Sequence, residues 1–107
     1  MTREALQAEL LSAAQDGDAG RVARLLKAGA SPDARDRSGR SALTFAALGD
    51  HVEAARVLVA AGADPDLQDE GRNNALLVTG ETGSVAMLRV ISREAGDEIA
   101  TALRDRG

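Results

Sequence analysis

A period of 33 residues runs through the chain and constrains its fold more than any other feature. One shift superposes Leu10 on Leu43, Ala13-Ala14 on Ala46-Ala47, Leu25 on Leu58, Ala28-Gly29-Ala30 on Ala61-Gly62-Ala63 and Pro32-Asp33 on Pro65-Asp66. A second carries Asp36 to Asp69, Ala42-Leu43 to Ala75-Leu76, Val52 to Val85 and Arg56-Val57 to Arg89-Val90. Three units therefore follow one template. A unit of this length is one supersecondary element that cannot bury its apolar side alone, so neighbouring copies must stack on one another.

Helix punctuation is legible inside the middle unit. Ser41 is a good N-cap for a short helix to about Leu48, and Gly49-Asp50 breaks it. Asp50-His51-Val52-Glu53 has the D-x-x-E arrangement of a reciprocal cap. Val52, Ala55, Val57, Leu58 and Val59 then supply an apolar stripe before Gly62 takes the C′ position. The stretch from Asp64 to Arg72 is too rich in Pro, Gly and Asp for a helix, which predicts hairpin-like loops near 31–40 and 64–73. Alanine and leucine, at 22 and 13 residues, dominate the apolar set, and Phe45 is the single aromatic. Helices with such small side chains approach closely and leave no deep aromatic-lined pocket, which disfavours a conventional small-molecule site.

A net charge of −4 has the wrong sign for neutralising phosphates, so no nucleic-acid partner is expected. The chain has no cysteine, which excludes disulfides and thiolate chemistry. Charges at Arg3, Glu4 and Glu9 interrupt any signal-peptide core, and no apolar run approaches membrane-spanning length; the sequence predicts a soluble cytoplasmic protein without membrane contact. His51, the only histidine, has no second base or nucleophile near it in sequence and reads as a hydrogen-bonding residue of the turn. A calcium loop starting at Asp64 would need glycine sixth and glutamate twelfth, where Asp69 and Ala75 stand. Gly80-Glu-Thr-Gly83-Ser lacks the lysine of a phosphate-binding loop and follows a helix rather than a strand. Arg35, Arg37 and Arg40 interleave with Asp33 and Asp36, which largely cancels their field. No nucleophile and base pair can be assembled, so neither enzyme activity, nor a metal, nor a cofactor is expected.

A helix-turn-helix pair every 33 residues, with Gly39-Arg-Ser-Ala-Leu-Thr-Phe-Ala-Ala, His51-Val-Glu and Ala60-Ala-Gly-Ala-Asp-Pro-Asp at matching spacing, resembles the ankyrin repeat over about residues 8 to 92. The resemblance implies an all-α fold: a single-domain α-solenoid of about three repeats, residues 3–33 as N-terminal capping repeat, 34–66 as central repeat and 67–96 as a degenerate third. Ser41-Ala-Leu-Thr44 replaces the family's Thr-Pro-Leu-His, and Thr79-Gly80 replaces Ala-Ala, which weakens the third unit. After Ile91 the template stops. Residues 97–106, with Ile99 and Leu103 on one helical face, are expected to form a closing helix over Val85, Leu88 and Ile91 and to keep the protein monomeric.

Ankyrin arrays are similar in using hairpin tips and the first helix of each pair to bind other proteins. Carried over by position, the partner-binding set is Gln15 and Asp16 in the first unit; Arg35, Arg37, Ser38, Arg40, Leu48 and Gly49 in the second; and Gln68, Glu70, Arg72, Asn73, Glu81 and Thr82 in the third. The implied function is that of an adaptor or an inhibitor acting by occlusion. The alternative is a structural fragment that self-associates through its C-terminal repeat. Arg37 and Arg40 are expected to tolerate replacement by glutamate with stability within about 0.5 kcal/mol, as exposed turn residues.

Overall fold

The computed structural model describes residues 2–92. Five helices are complete within them: α1 (Arg3–Asp16), α2 (Ala19–Lys27), α3 (Ala42–Leu48), α4 (Val52–Ala60) and α5 (Ala75–Thr82). A sixth, α6, begins at Val85 and continues through Ser92. The closing helix expected at 97–106 lies outside the described residues.

Side chains fix most of these helix starts. Thr2, Asp18, Ser41 and Asn74 each accept a hydrogen bond from the backbone N–H three residues on, at 2.8–3.1 Å, and Ser84 does the same for Met87 at 3.1 Å. Within a unit the two helices lie side by side, α1 on α2 and α3 on α4. Between units α1, α3 and α5 form one row, while α2 packs on α4 in a second. The solenoid is the outcome.

Small residues make that stacking close. Ala13, Ala14, Ala46 and Ala47 are fully buried, as are Leu10, Leu43, Leu58 and Met87. Thr79 occupies the position of Ala13 and Ala46 in the third unit; it too is buried, and its hydroxyl donates to the Ala75 carbonyl at 2.8 Å. Ser41 and Thr44, which replace the usual Thr and His, are buried as a pair with their hydroxyl oxygens 3.1 Å apart. The substitution keeps the hydroxyl bond inside one unit.

The chain reverses between helices in a left-handed conformation, which recurs with the period: Gly17 has φ 74°, Asp50 φ 55° and Gly83 φ 71°. This overturns the expected reciprocal cap at Asp50. The left-handed residue there is Asp50 itself, not Gly49, and the N-cap of α4 is His51, which makes no side-chain capping bond. Aspartate tolerates the left-handed region better than most residues, so the template survives without its glycine.

Both expected hairpins are present. In the first, an antiparallel bridge joins Arg35 and Ser41, with Asp36 N–H donating to the Arg40 carbonyl at 3.0 Å. In the second, Asp69 N–H donates to the Asn73 carbonyl at 2.9 Å. Their tips also match, Gly39 at φ 84° and Arg72 at φ 63°, so an arginine holds a strained turn where the central unit has glycine.

At the third unit Ile91 is buried, while Val85 and Leu88 stand 62% and 44% exposed. Gly80, helical and exposed, has open space where a Cβ would stand. Gly80→Ala is therefore expected to raise stability by up to about 1 kcal/mol. Leu58→Ala, which empties a fully buried site, should lower it by about 2–4 kcal/mol. Denaturant midpoints of the two variants against the parent check both signs.

Candidate interaction surface

Two structural features recur with the period, the hairpin tips and the C-terminal turns of α1, α3 and α5. The helix turns place Gln15 and Asp16, Leu48 and Gly49, and Glu81 and Thr82 at equivalent positions, all exposed. The hairpins place Arg35 with Gln68, Arg37 with Glu70, and Arg40 with Asn73 in the same register. The predicted set is thus exposed in all its members but the half-buried Ser38. Its members nevertheless do different work.

Hairpin stacking uses several of them. Glu70 N–H donates to the Ser38 carbonyl at 2.8 Å, and the Arg35 guanidinium donates to the Gln68 carbonyl at 3.4 Å. Asp64 N–H donates to the Asp33 carboxylate at 2.7 Å. These bonds cross from one unit to the next and hold the tips at a fixed spacing. Arg72, in its left-handed turn, presents an exposed side chain from a backbone that is itself constrained.

Arg40 is not a freely exposed turn residue. Its Nε donates to Asp36 Oδ2 at 2.9 Å, and the guanidinium carbon lies 5.1 Å from the centroid of the Phe45 ring. Asp36 Oδ1 accepts from the N–H groups of Ser38 and Arg40, both at 2.9 Å. Glutamate at position 40 would set a second carboxylate against Asp36, so replacement of Arg40 is expected to cost more stability than that of Arg37. Arg37 makes no hydrogen bond or ion pair among the described residues and remains available to a partner.

Phe45 lies outside the predicted set. Half-buried and packed against the core, it carries the Arg40 guanidinium over its ring and sits three residues before Leu48 on α3. Leu48 is 51% exposed.

His51 also does more than expected. Its Nε2 lies 3.0 Å from the Gln15 carbonyl of the preceding unit, and since a carbonyl only accepts, Nε2 carries the proton. The ring lies against Gly17 and Gly49, where a Cβ on either would overlap it. The imidazole thus ties two units together instead of serving its own turn.

The family model for ankyrin repeats, in three copies, matches residues 10–101. The chain belongs to the ankyrin-repeat family. Its repeats form a fold that generally serves protein–protein interaction rather than catalysis. The match continues past Ile91, where the template read from the sequence stops. Comparison with individually curated proteins gives no significant match. Among the described residues no helix is long and apolar enough to cross a membrane, and no group of three His, Cys, Asp or Glu is placed to hold a metal ion.

Charge ties the first hairpin of this ankyrin array to pH. Burial pushes the Asp36 carboxyl up, but the N–H and guanidinium of Arg40 and the N–H of Ser38 outweigh it and hold the pKa below its ordinary 3.8. A lowered folded value means that the carboxylate stabilises the hairpin above the unfolded pKa and ceases to do so as pH falls through the folded one. Asp36→Asn should therefore unfold at lower denaturant than the parent at neutral pH. Below pH 3.8 that gap should close. Paired denaturation series across this range check it.

Proposed function

We propose that this ankyrin array binds another protein along the row of hairpin tips and inner-helix ends, and acts as an adaptor or as an inhibitor that occludes its partner. The observation that carries the reading is the division of labour within the row. Asp33, Ser38 and Arg35 lock neighbouring tips together, while Arg37, Leu48 and Glu70 on the same scaffold stand exposed. Side chains held this way lose less conformational entropy on association than side chains on mobile loops.

Exposed Leu48, with Arg40 stacked on the half-buried Phe45 ring three residues before it, gives the proposed row an apolar and cationic centre. Gln15, Asp16, Gly49, Gln68, Arg72, Asn73, Glu81 and Thr82, all exposed, are the proposed rim. An anchor in the middle with a polar edge is the usual division of binding energy at protein interfaces.

Immobilised chain and variants, exposed to extract of the source cell, test the proposal. Arg37→Glu combined with Leu48→Glu should keep the parent's stability within about 0.5 kcal/mol, as exposed substitutions do, while losing at least about tenfold in affinity for the captured protein, or about 1.4 kcal/mol. Leu58→Ala, measured where it is still folded, should retain that protein. Capture that survives the double variant would place the binding site elsewhere.

A further inference from the structure

We propose that the apolar face of α5 and α6 left exposed among the described residues is a self-association surface on which a second copy of this chain docks, related by a two-fold axis. This goes beyond the binding row above and concerns a different face, with Glu81 alone at the edge of both.

The argument starts from positional equivalence. Leu10 and Leu43 are fully buried, yet their third-unit counterpart Leu76 is 39% exposed. Thr44 is buried while Leu77 is 50% exposed, and Val22 and Ala55 are buried while Leu88 is 44% exposed. Leu76 and Leu88 sit where both earlier units bury theirs, and Leu77 where the central unit does while the first half-buries Leu11. With Val85, they make up four of the five exposed large hydrophobics among the described residues. A clustered apolar patch of this kind marks an interaction site rather than ordinary surface.

The occupant follows from what each end of the molecule offers. A copy stacked head to tail would have to bring its first unit against this patch. That unit exposes Glu4, Ser12 and Asp16 along α1, and Arg24 and Lys27 on α2, and none of the exposed large hydrophobics. Head-to-tail stacking would bury charges against leucines, which is unfavourable. Tail-to-tail pairing instead sets the same apolar patch against itself, an isologous contact that closes at two copies.

Charge at the rim of the patch is complementary to itself. Glu81 lies one helical turn beyond Leu77 on α5, and Arg89 one turn beyond Val85 on α6; both are exposed and neither is paired among the described residues. A two-fold axis running between the two helices lays α5 of one copy antiparallel across α6 of the other. Glu81 of each copy then meets Arg89 of its partner, twice per dimer.

Sedimentation of the full 107-residue chain, from about 1 μM to about 1 mM, tests the proposal over the range of weak interfaces. The mass should rise from one copy to two and no further. Leu77→Glu should remain one copy throughout, with the circular dichroism spectrum of the dilute parent. Glu81→Arg replaces two attractions with two repulsions and should weaken dimerisation at least about tenfold. Adding Arg89→Glu should restore it to within about threefold, a rescue that misfolding could not produce. The proposal is overturned if the chain is a single copy at every concentration, which would leave the patch to residues 97–106 or to a different protein. Growth beyond two copies, or a dimer indifferent to the charge exchange, would overturn it as well.

Discussion

No unit of this chain can bury its own apolar side, and every other feature of the structure answers to that shortage. A helix pair built from alanine, leucine and valine leaves one broad face bare, and only the next pair fits it closely. Ala13-Ala14, Ala46-Ala47 and Thr79 recur at one position because helices in a stack must approach nearly backbone to backbone there. Leu10, Leu43 and Leu58 then fill the spaces that the alanines leave. Stability is a property of neighbours rather than of units.

The polar bonds between units follow the same logic. His51 donates to the Gln15 carbonyl, Asp64 N–H to Asp33, and Glu70 N–H to the Ser38 carbonyl, each reaching back by about one repeat. They add little apolar burial. They fix register, since a slip of one repeat against the next would leave each donor without its acceptor. Because the hairpins are pinned in this way, the side chains at their tips are presented from a stiff ridge, and that stiffness makes the row suited to receiving another protein.

Much of this was legible in the residues. The period and the cap at Ser41 place the helices, since they rest on local chemistry that any copy of the template repeats. What escaped reading depended on contacts between units. The shape Asp50-x-x-Glu53 suggests a cap, but the chain needs a left-handed residue at that turn, and conformation overrode capping. Arg40 looks like a surface charge until Asp36 and Phe45 are seen folded against it. His51 looks local until Gln15 is brought beside it by stacking. The members of the proposed binding row come from position alone, whereas which of them are engaged in the scaffold could only come from the packed hairpins.

Amide hydrogen exchange, resolved by unit and run at a concentration where the chain is a single copy, tests the dependence on neighbours most directly. Local opening free energies report how much each segment relies on its surroundings. The central unit has a neighbour on both sides, so α3 and α4 should exchange slowest, α1 and α2 faster, and α5, with Gly80 and its exposed leucines, fastest of all. Protection of α5 equal to that of α3 would contradict the account, because it would mean that a unit holds itself together without being covered.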